Sequence, residues 1–263
     1  MDLTQKKLFL LDMDGTIYLG NRLFDYSLPF LRQVENMGAR YIFFTNNSSK
    51  SADLYLKKLN DMQIPAGSEQ LITSTHATAR YLKRQYGDQP IYASGTKAFL
   101  QELEDLGVAI TPDSNAPVAA LVMGFDTELT FQKLETMCIL LGKGVDYVAT
   151  NPDWVCPTEY GYVPDCGSVA QMLKNATGRE PLFIGKPMAA MVDMALEQAG
   201  VSKEDAIIIG DRLYTDVACG IAAGIDAALV LSGESTTQDL ETSPHKPNYV
   251  FRDLDELRML LEG

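Results

Sequence analysis

Lys7-Leu8-Phe9-Leu10-Leu11-Asp12-Met13-Asp14-Gly15-Thr16 sets four consecutive apolar residues directly before two carboxylates and a glycine. A short apolar run that stops at acidic residues and glycine reads as a buried parallel strand whose carboxyl end opens into a site. Outward from it, residues 27–37 place Leu28, Leu31 and Val34 on one helical face, with Gly38 as a stop. Residues 40–44 (RYIFF) form a second β-rich run, ending at Thr45-Asn46-Asn47-Ser48-Ser49, and 51–62 read as a second helix. The same alternation returns near the C-terminus. Residues 181–184 lead into Gly185-Lys186-Pro187, and 188–199 read as a helix ending at Gly200. Residues 206–209 (AIII) are a buried strand stopping at Gly210-Asp211, 217–223 a helix and 227–231 another strand. Strands and helices alternating through short loops predict an α/β fold: a three-layer, doubly wound parallel sheet covered on both faces.

In such sheets ligands bind beyond the carboxyl ends of the strands. The polar clusters at 12–16, 45–49, 186 and 211–216 each follow an expected strand, so they can converge although they are far apart in sequence. The middle of the chain has strand and helix signals of its own, at 91–94, 97–106, 119–123 and 145–149, but none of the four clusters. It reads as an inserted domain over the site. The expected division is 1–84 for the first part of the core, 85–182 for the insert and 183–263 for the rest of the core.

Composition narrows the chemistry. A formal net charge of -13 in 263 residues argues against a nucleic-acid partner, which needs a basic surface. A small phosphorylated metabolite remains open, because it meets only its pocket. Only His76 and His245 are present, so a mechanism built on several histidines is nearly excluded. Cys138, Cys156, Cys166 and Cys219 show no CxxC spacing and read as free thiols of a reducing compartment, with zinc a minor alternative. The apolar run after Lys6-Lys7 is too short for a signal peptide, and no stretch approaches the roughly 20 residues that span a bilayer. The expectation is a cytoplasmic protein with no membrane contact.

Each cluster has a chemical and a plain reading. Asp12 and Asp14 can divide labour, one attacking phosphorus and binding a metal, the other moving protons to the leaving oxygen and from water. Alone, such a pair is as readily a turn with solvated acids. Asp211 and Asp216, in Gly210-Asp211-Arg212-Leu213-Tyr214-Thr215-Asp216, are hard oxygen ligands that with Asp12 suit Mg2+, or else helix-capping residues. Lys186 would offset phosphoryl charge, or simply be solvated. Thr45 and the backbone amides of Asn46 and Asn47 can hold phosphoryl oxygens at the start of a helix, or merely cap it. The plain readings weaken together, since all four clusters fall at strand ends.

DMDGT, FTNN, GKP and GDRLYTD together resemble the four motifs of the haloacid dehalogenase (HAD) superfamily. Ala149-Thr150-Asn151-Pro152-Asp153 and Pro157-Thr158-Glu159-Tyr160-Gly161 are similar to its subfamily IIA, the NagD-like, p-nitrophenylphosphatase-like branch. The resemblance implies a phosphoric monoester hydrolase with an aspartyl-phosphate intermediate on Asp12. It further implies that Asp14 is general acid and base, with its backbone carbonyl on Mg2+. Thr45 and Asn46 would hold the phosphoryl group, Lys186 would neutralise charge and orient Asp12, Asp211 would be the second carboxylate ligand, and Asp216 would stand in the outer shell. The insert would be the α/β (C2-type) cap that closes over the site and selects substrate, and it could support a homodimer.

A dehalogenase on the same fold needs neither Asp14 nor a metal, and a phosphomutase fits a large cap in this position less well. An inactive binding protein would not need every motif residue intact. The expected substrate is a small phosphomonoester, of the sugar phosphate or nucleoside monophosphate class. The cap candidates for selecting it are Trp154, the only tryptophan, with Glu159 and Asp165.

Overall fold

Leu8–Leu11 (β1) and Ala206–Gly210 (here β4) are buried along their whole lengths. Strands that show no solvent-facing side need helices on both faces. The computed structural model describes residues 2–158 and 160–263, and supplies them. Between these two strands in the chain come Arg40–Thr45 (β2) and Leu71–Thr73 (β3); after them come Asp226–Val230 (β5) and Tyr249–Phe251 (β6). They form one six-stranded sheet in the order β6-β5-β4-β1-β2-β3. Leu8 pairs in parallel with Ala206 on one side and Arg40 on the other. The helix Ser27–Asn36 packs on Leu254–Glu262, while Ala190–Ala199 packs on Ala218–Ala223 and on β1. The doubly wound α/β fold expected from the alternation is therefore present.

The chain divides into two compact units. One comprises residues up to Thr45, Leu56–Ile72 and Lys186–Gly263; the other comprises Asn46–Tyr55 and Thr73–Gly185. The second has its own five-stranded parallel sheet, in the order Leu182–Phe183, Asp146–Ala149, Ala120–Met123, Ile91–Ser94, Ile110–Thr111. The helices Phe131–Gly142 and Cys166–Thr177 pack on each other over a core that includes Met123, Phe125, Leu140, Tyr147 and Leu173. One element sits elsewhere than the sequence grammar suggests. Leu182–Phe183 does not join the sheet of β1 but pairs with Asp146–Ala149 at the edge of the second sheet. Two residues, with Leu182 half exposed, are too short and too poorly buried to compete for a central position. Among the described residues no helix is long and apolar enough to cross a membrane.

A buried acid sits within the second unit. Glu102 Oε1 accepts the Ala52 N–H at 3.0 Å and lies 3.4 Å from His76 Nε2, while Oε2 is buried with no hydrogen-bond partner among the described residues. Burial lifts the carboxyl to about 7, against the opposing pull of the Ala52 amide. The folded protein thus holds a proton that the unfolded chain releases near pH 4.5. The contribution of this group to stability is full below that pH and is lost as pH rises towards 7, at most about 3 kcal/mol. Glu102→Gln is expected to flatten that decline and to raise the thermal midpoint at pH 8. Parallel slopes for variant and wild type across pH 5–8 would refute this account.

Candidate active site

The chain runs outward from β1 to β2 and β3 on one side, then returns to β4, β5 and β6 on the other. The reversal of direction between β1 and β4 is where such sheets open a crevice at their carboxyl ends. Asp12 follows β1 and Asp211 follows β4 at that point.

Lys186 ties the cluster together. Its Nζ lies 2.6 Å from Asp12 Oδ1 and 2.5 Å from Asp216 Oδ1, and donates to the Phe44 carbonyl at 3.1 Å. It is almost wholly buried, so the solvated-lysine reading fails for this residue. Asp216 reaches it from a single π-type turn, Leu213–Val217, in which both the Asp216 and Val217 amides donate to the Arg212 carbonyl. The wider turn carries Asp216 Oδ2 back onto the Arg212 N–H at 3.1 Å. Asp216 therefore spends both oxygens on protein donors.

Asp211 does not. Its Oδ2 accepts the Glu234 N–H at 2.6 Å, but Oδ1 is buried with no hydrogen-bond partner among the described residues. Asp12, Asp211 and Asp216 each bring one carboxylate oxygen within 4.8 Å of the others. Three carboxylates and one ammonium sum formally to -2. Burial lifts the Asp12 carboxyl well above the usual range; Lys186 opposes this, and Asp216 and Asp211 reinforce it. Burial, then Asp216, pushes Asp211 up to about 7. Burial alone would lower Lys186, but Asp12 and Asp216 outweigh it and raise it. Excess negative charge in a hard-oxygen cluster, with one buried oxygen lacking a donor, is an environment that fits a divalent cation.

The backbone makes room for these acids. A Cβ on Gly15, whose φ is +86°, would stand 2.4 Å from Asp211 Oδ2; one on Gly233 would stand 2.0 Å from the same atom. Only glycine leaves space for that carboxylate at either position. The loop 232–235 went unread in the sequence. Ser232 Oγ donates to the Gly15 carbonyl at 2.7 Å, Ser235 N–H to the Asp211 carbonyl at 3.1 Å, and Glu234 pairs with Arg212 at 2.8 Å. The signal was available, because Ser232-Gly233-Glu234-Ser235 follows a strand end as the other clusters do.

The remaining candidates are placed as follows. Asp14 is half-buried, its backbone bridges to Tyr18, and its carboxylate is not one of the three clustered acids. Thr45 ends β2 and is buried, as is Asn46. Asn47 Oδ1 accepts from the Ser49 amide at 2.9 Å and the Ser49 hydroxyl at 2.7 Å, closing a turn ahead of the helix Ala52–Asp61. Trp154 is half exposed beside the hairpin Val155–Thr158/Gly161–Pro164, with Tyr160 and Tyr162 also exposed. Glu159 lies outside the described residues. Asp165 does not point to solvent: it is buried, caps the helix Cys166–Thr177 and accepts from Asn151 Nδ2 at 3.1 Å.

Residues 9–109 match the haloacid dehalogenase-like hydrolase family, and 183–257 match a second, HAD-hydrolase-like family. An acid sugar phosphatase of Staphylococcus aureus is 34% identical over 258 residues, covering 98% of this chain and 99% of that one. The crystal structure of a 4-nitrophenylphosphatase from Thermotoga maritima superposes with a TM-score of 0.93 at 42% identity, covering 99% of both chains. A glycerol phosphate phosphatase from Mycobacterium tuberculosis, solved in complex with magnesium, gives a TM-score of 0.90 at 28% identity, covering 98% of this chain and 78% of that one. With four motifs, a doubly wound core and relatives matched over nearly their whole lengths, the chain belongs to the haloacid dehalogenase-like hydrolases, in their NagD-like, p-nitrophenylphosphatase-like branch.

Proposed function

We propose that this phosphoric monoester hydrolase uses Asp12 as a covalent nucleophile and Mg2+ as its metal, and that its substrate is a small phosphomonoester of the sugar phosphate class. The observation that carries the reading is the cluster of Asp12, Asp211 and Asp216 around the buried Lys186 ammonium at the switch point of the sheet. Relatives named for sugar, glycerol and nitrophenyl phosphates support the reaction class.

Lys186 holds Asp12 Oδ1, which aims the other oxygen at phosphorus. That oxygen forms a bond to phosphorus as the bond to the leaving oxygen breaks, and Asp14 gives the leaving oxygen its proton. Water then attacks the aspartyl-phosphate, Asp14 takes the water's proton, and Asp12 is released as a carboxylate. Thr45, Asn46 and Asn47 hold the phosphoryl oxygens, and Lys186 offsets charge that the phosphoryl group adds. Asp12, Asp211 and the Asp14 carbonyl would hold magnesium, with Asp216 in the outer shell through Lys186 and Arg212. When bound, the ion supplies positive charge against the phosphoryl oxygens.

The unit comprising Asn46–Tyr55 and Thr73–Gly185 is read as the cap that selects substrate, with Trp154 as a stacking surface. An acidic chain with four free cysteines suits a reducing cytoplasm. A dehalogenase would not need Asp14 or the cluster around Asp211. The test is hydrolysis of p-nitrophenyl phosphate, expected to depend on magnesium and to be abolished by EDTA. Turnover of a chloroacid without metal, in place of phosphate ester hydrolysis, would overturn the assignment.

A further inference from the structure

The loop 46–49 is anchored by hydroxyls from three other elements of its own unit. Ser74 Oγ donates to the Asn46 carbonyl at 2.6 Å, Thr96 Oγ1 to the Ser49 carbonyl at 2.8 Å, and Ser48 Oγ lies 2.8 Å from Thr150 Oγ1. The proton directions along the last contact follow from its neighbours. Thr150 Oγ1 faces two acceptors, Asn151 Oδ1 at 2.8 Å and Cys166 Sγ at 3.8 Å; the closer and stronger amide oxygen takes its one proton, and it accepts from Ser48. Ser48 in turn accepts the Phe125 N–H at 2.9 Å. Asn151 Nδ2 then donates to Asp153 Oδ2 at 3.0 Å and Asp165 Oδ1 at 3.1 Å. A single directed chain thus runs from Ser48 through Thr150 and Asn151 to two carboxylates. Ser48, Thr150 and Asn151 are all fully buried. Gly185 closes the same spot: its N–H donates to the Thr150 carbonyl at 2.7 Å, and a Cβ there would stand 2.6 Å from Asn46 Oδ1.

We propose that the buried Ser48–Thr150 hydroxyl pair positions the Asn46–Asn47 loop and thereby sets how tightly the phosphoryl group is held, whatever leaving group it carries. The proposal rests on the reading of Asn46 and Asn47 as phosphoryl contacts. Ser48 and Thr150 are positioning residues; neither needs to touch substrate. The buried Asp165, at the far end of the chain, acts on the loop through Asn151 rather than through a substrate contact.

The test compares Thr150→Val, which keeps shape and loses the hydroxyl's contacts with Ser48, Asn151 and Cys166, with Thr150→Ser, which keeps the hydroxyl. Thr150→Val is expected to raise Ki for inorganic phosphate on the order of tenfold, and to raise KM for p-nitrophenyl phosphate and a sugar phosphate by the same factor. Thr150→Ser should stay within about twofold of wild type. Tyr86→Phe, which loses a hydrogen bond to Asp146 elsewhere in the unit, should lower the thermal midpoint without moving Ki. If Thr150→Val does not fold, Ser48→Ala decides by the same Ki. Active variants with unchanged Ki, or a KM change confined to one leaving group, would overturn the positioning role. Wild-type protein that neither hydrolyses phosphomonoesters nor binds phosphate would instead overturn the reading beneath it.

Discussion

Asp12→Asn is expected to lower kcat for p-nitrophenyl phosphate by at least about three orders of magnitude. Asparagine nearly matches aspartate in shape, so the loss reports chemistry rather than packing. It offers Lys186 an amide oxygen in place of Oδ1 at 2.6 Å, but no anionic oxygen for phosphorus. The fold should not suffer. The change takes the formal charge of the cluster from -2 to -1, and Asp12 is a carboxyl that burial and two neighbouring acids disfavour as an anion. The thermal midpoint in EDTA is therefore expected to be unchanged or higher. The measurement is single-turnover and steady-state kinetics beside thermal unfolding of the same preparation. Substantial turnover in a folded Asp12→Asn would remove Asp12 from the nucleophile's role. A collapse of stability would mean that Lys186 stabilises the Asp12 anion more than burial and the neighbouring acids oppose it.

The core of this site was legible because it is built from backbone punctuation. An apolar run ending in DxDG, or AIII ending in Gly210-Asp211, is a strand and its carboxyl-end loop written side by side. Parallel sheets collect such ends at one edge, so clusters far apart in sequence can be placed together from the sequence itself. Lys186 was harder. It follows Leu182–Phe183, and that strand belongs to the second sheet, so the lysine's burial depends on contacts with Asp12, Asp216 and Phe44 that no local pattern encodes. Loop 232–235 was missed because it supplies amides and the absence of a side chain. Gly233 and the Glu234 N–H shape Asp211 without any residue type that announces chemistry. Asp165 shows the opposite limit: an acid in a loop reads as solvated or functional, yet its partner Asn151 is 14 residues away, and the pairing makes it a buried helix cap.

Lys186→Met carries the second large expectation. Methionine keeps the length and apolar character of the stem, so what disappears is the ammonium. Asp12 Oδ1 and Asp216 Oδ1 lose a partner at 2.6 and 2.5 Å, the Phe44 carbonyl loses its donor, and the cluster moves from -2 to -3. Breaking a buried ion pair from one side costs roughly 3–5 kcal/mol, because the remaining charge stays buried. The thermal midpoint in EDTA should fall accordingly. Magnesium should then raise the midpoint more in the variant than in wild type, since a more negative cluster gains more from a cation. Activity should not return with stability: kcat/KM is expected to stay at least about a hundredfold down in saturating magnesium, because the charge proposed to offset the phosphoryl group is still missing. Lys186→Arg separates the two effects. It restores charge but not the compact geometry in which one nitrogen meets three acceptors, so it should recover stability before rate. Equal stability of Lys186→Met and wild type without metal would mean that the ammonium is not what holds the three carboxylates together.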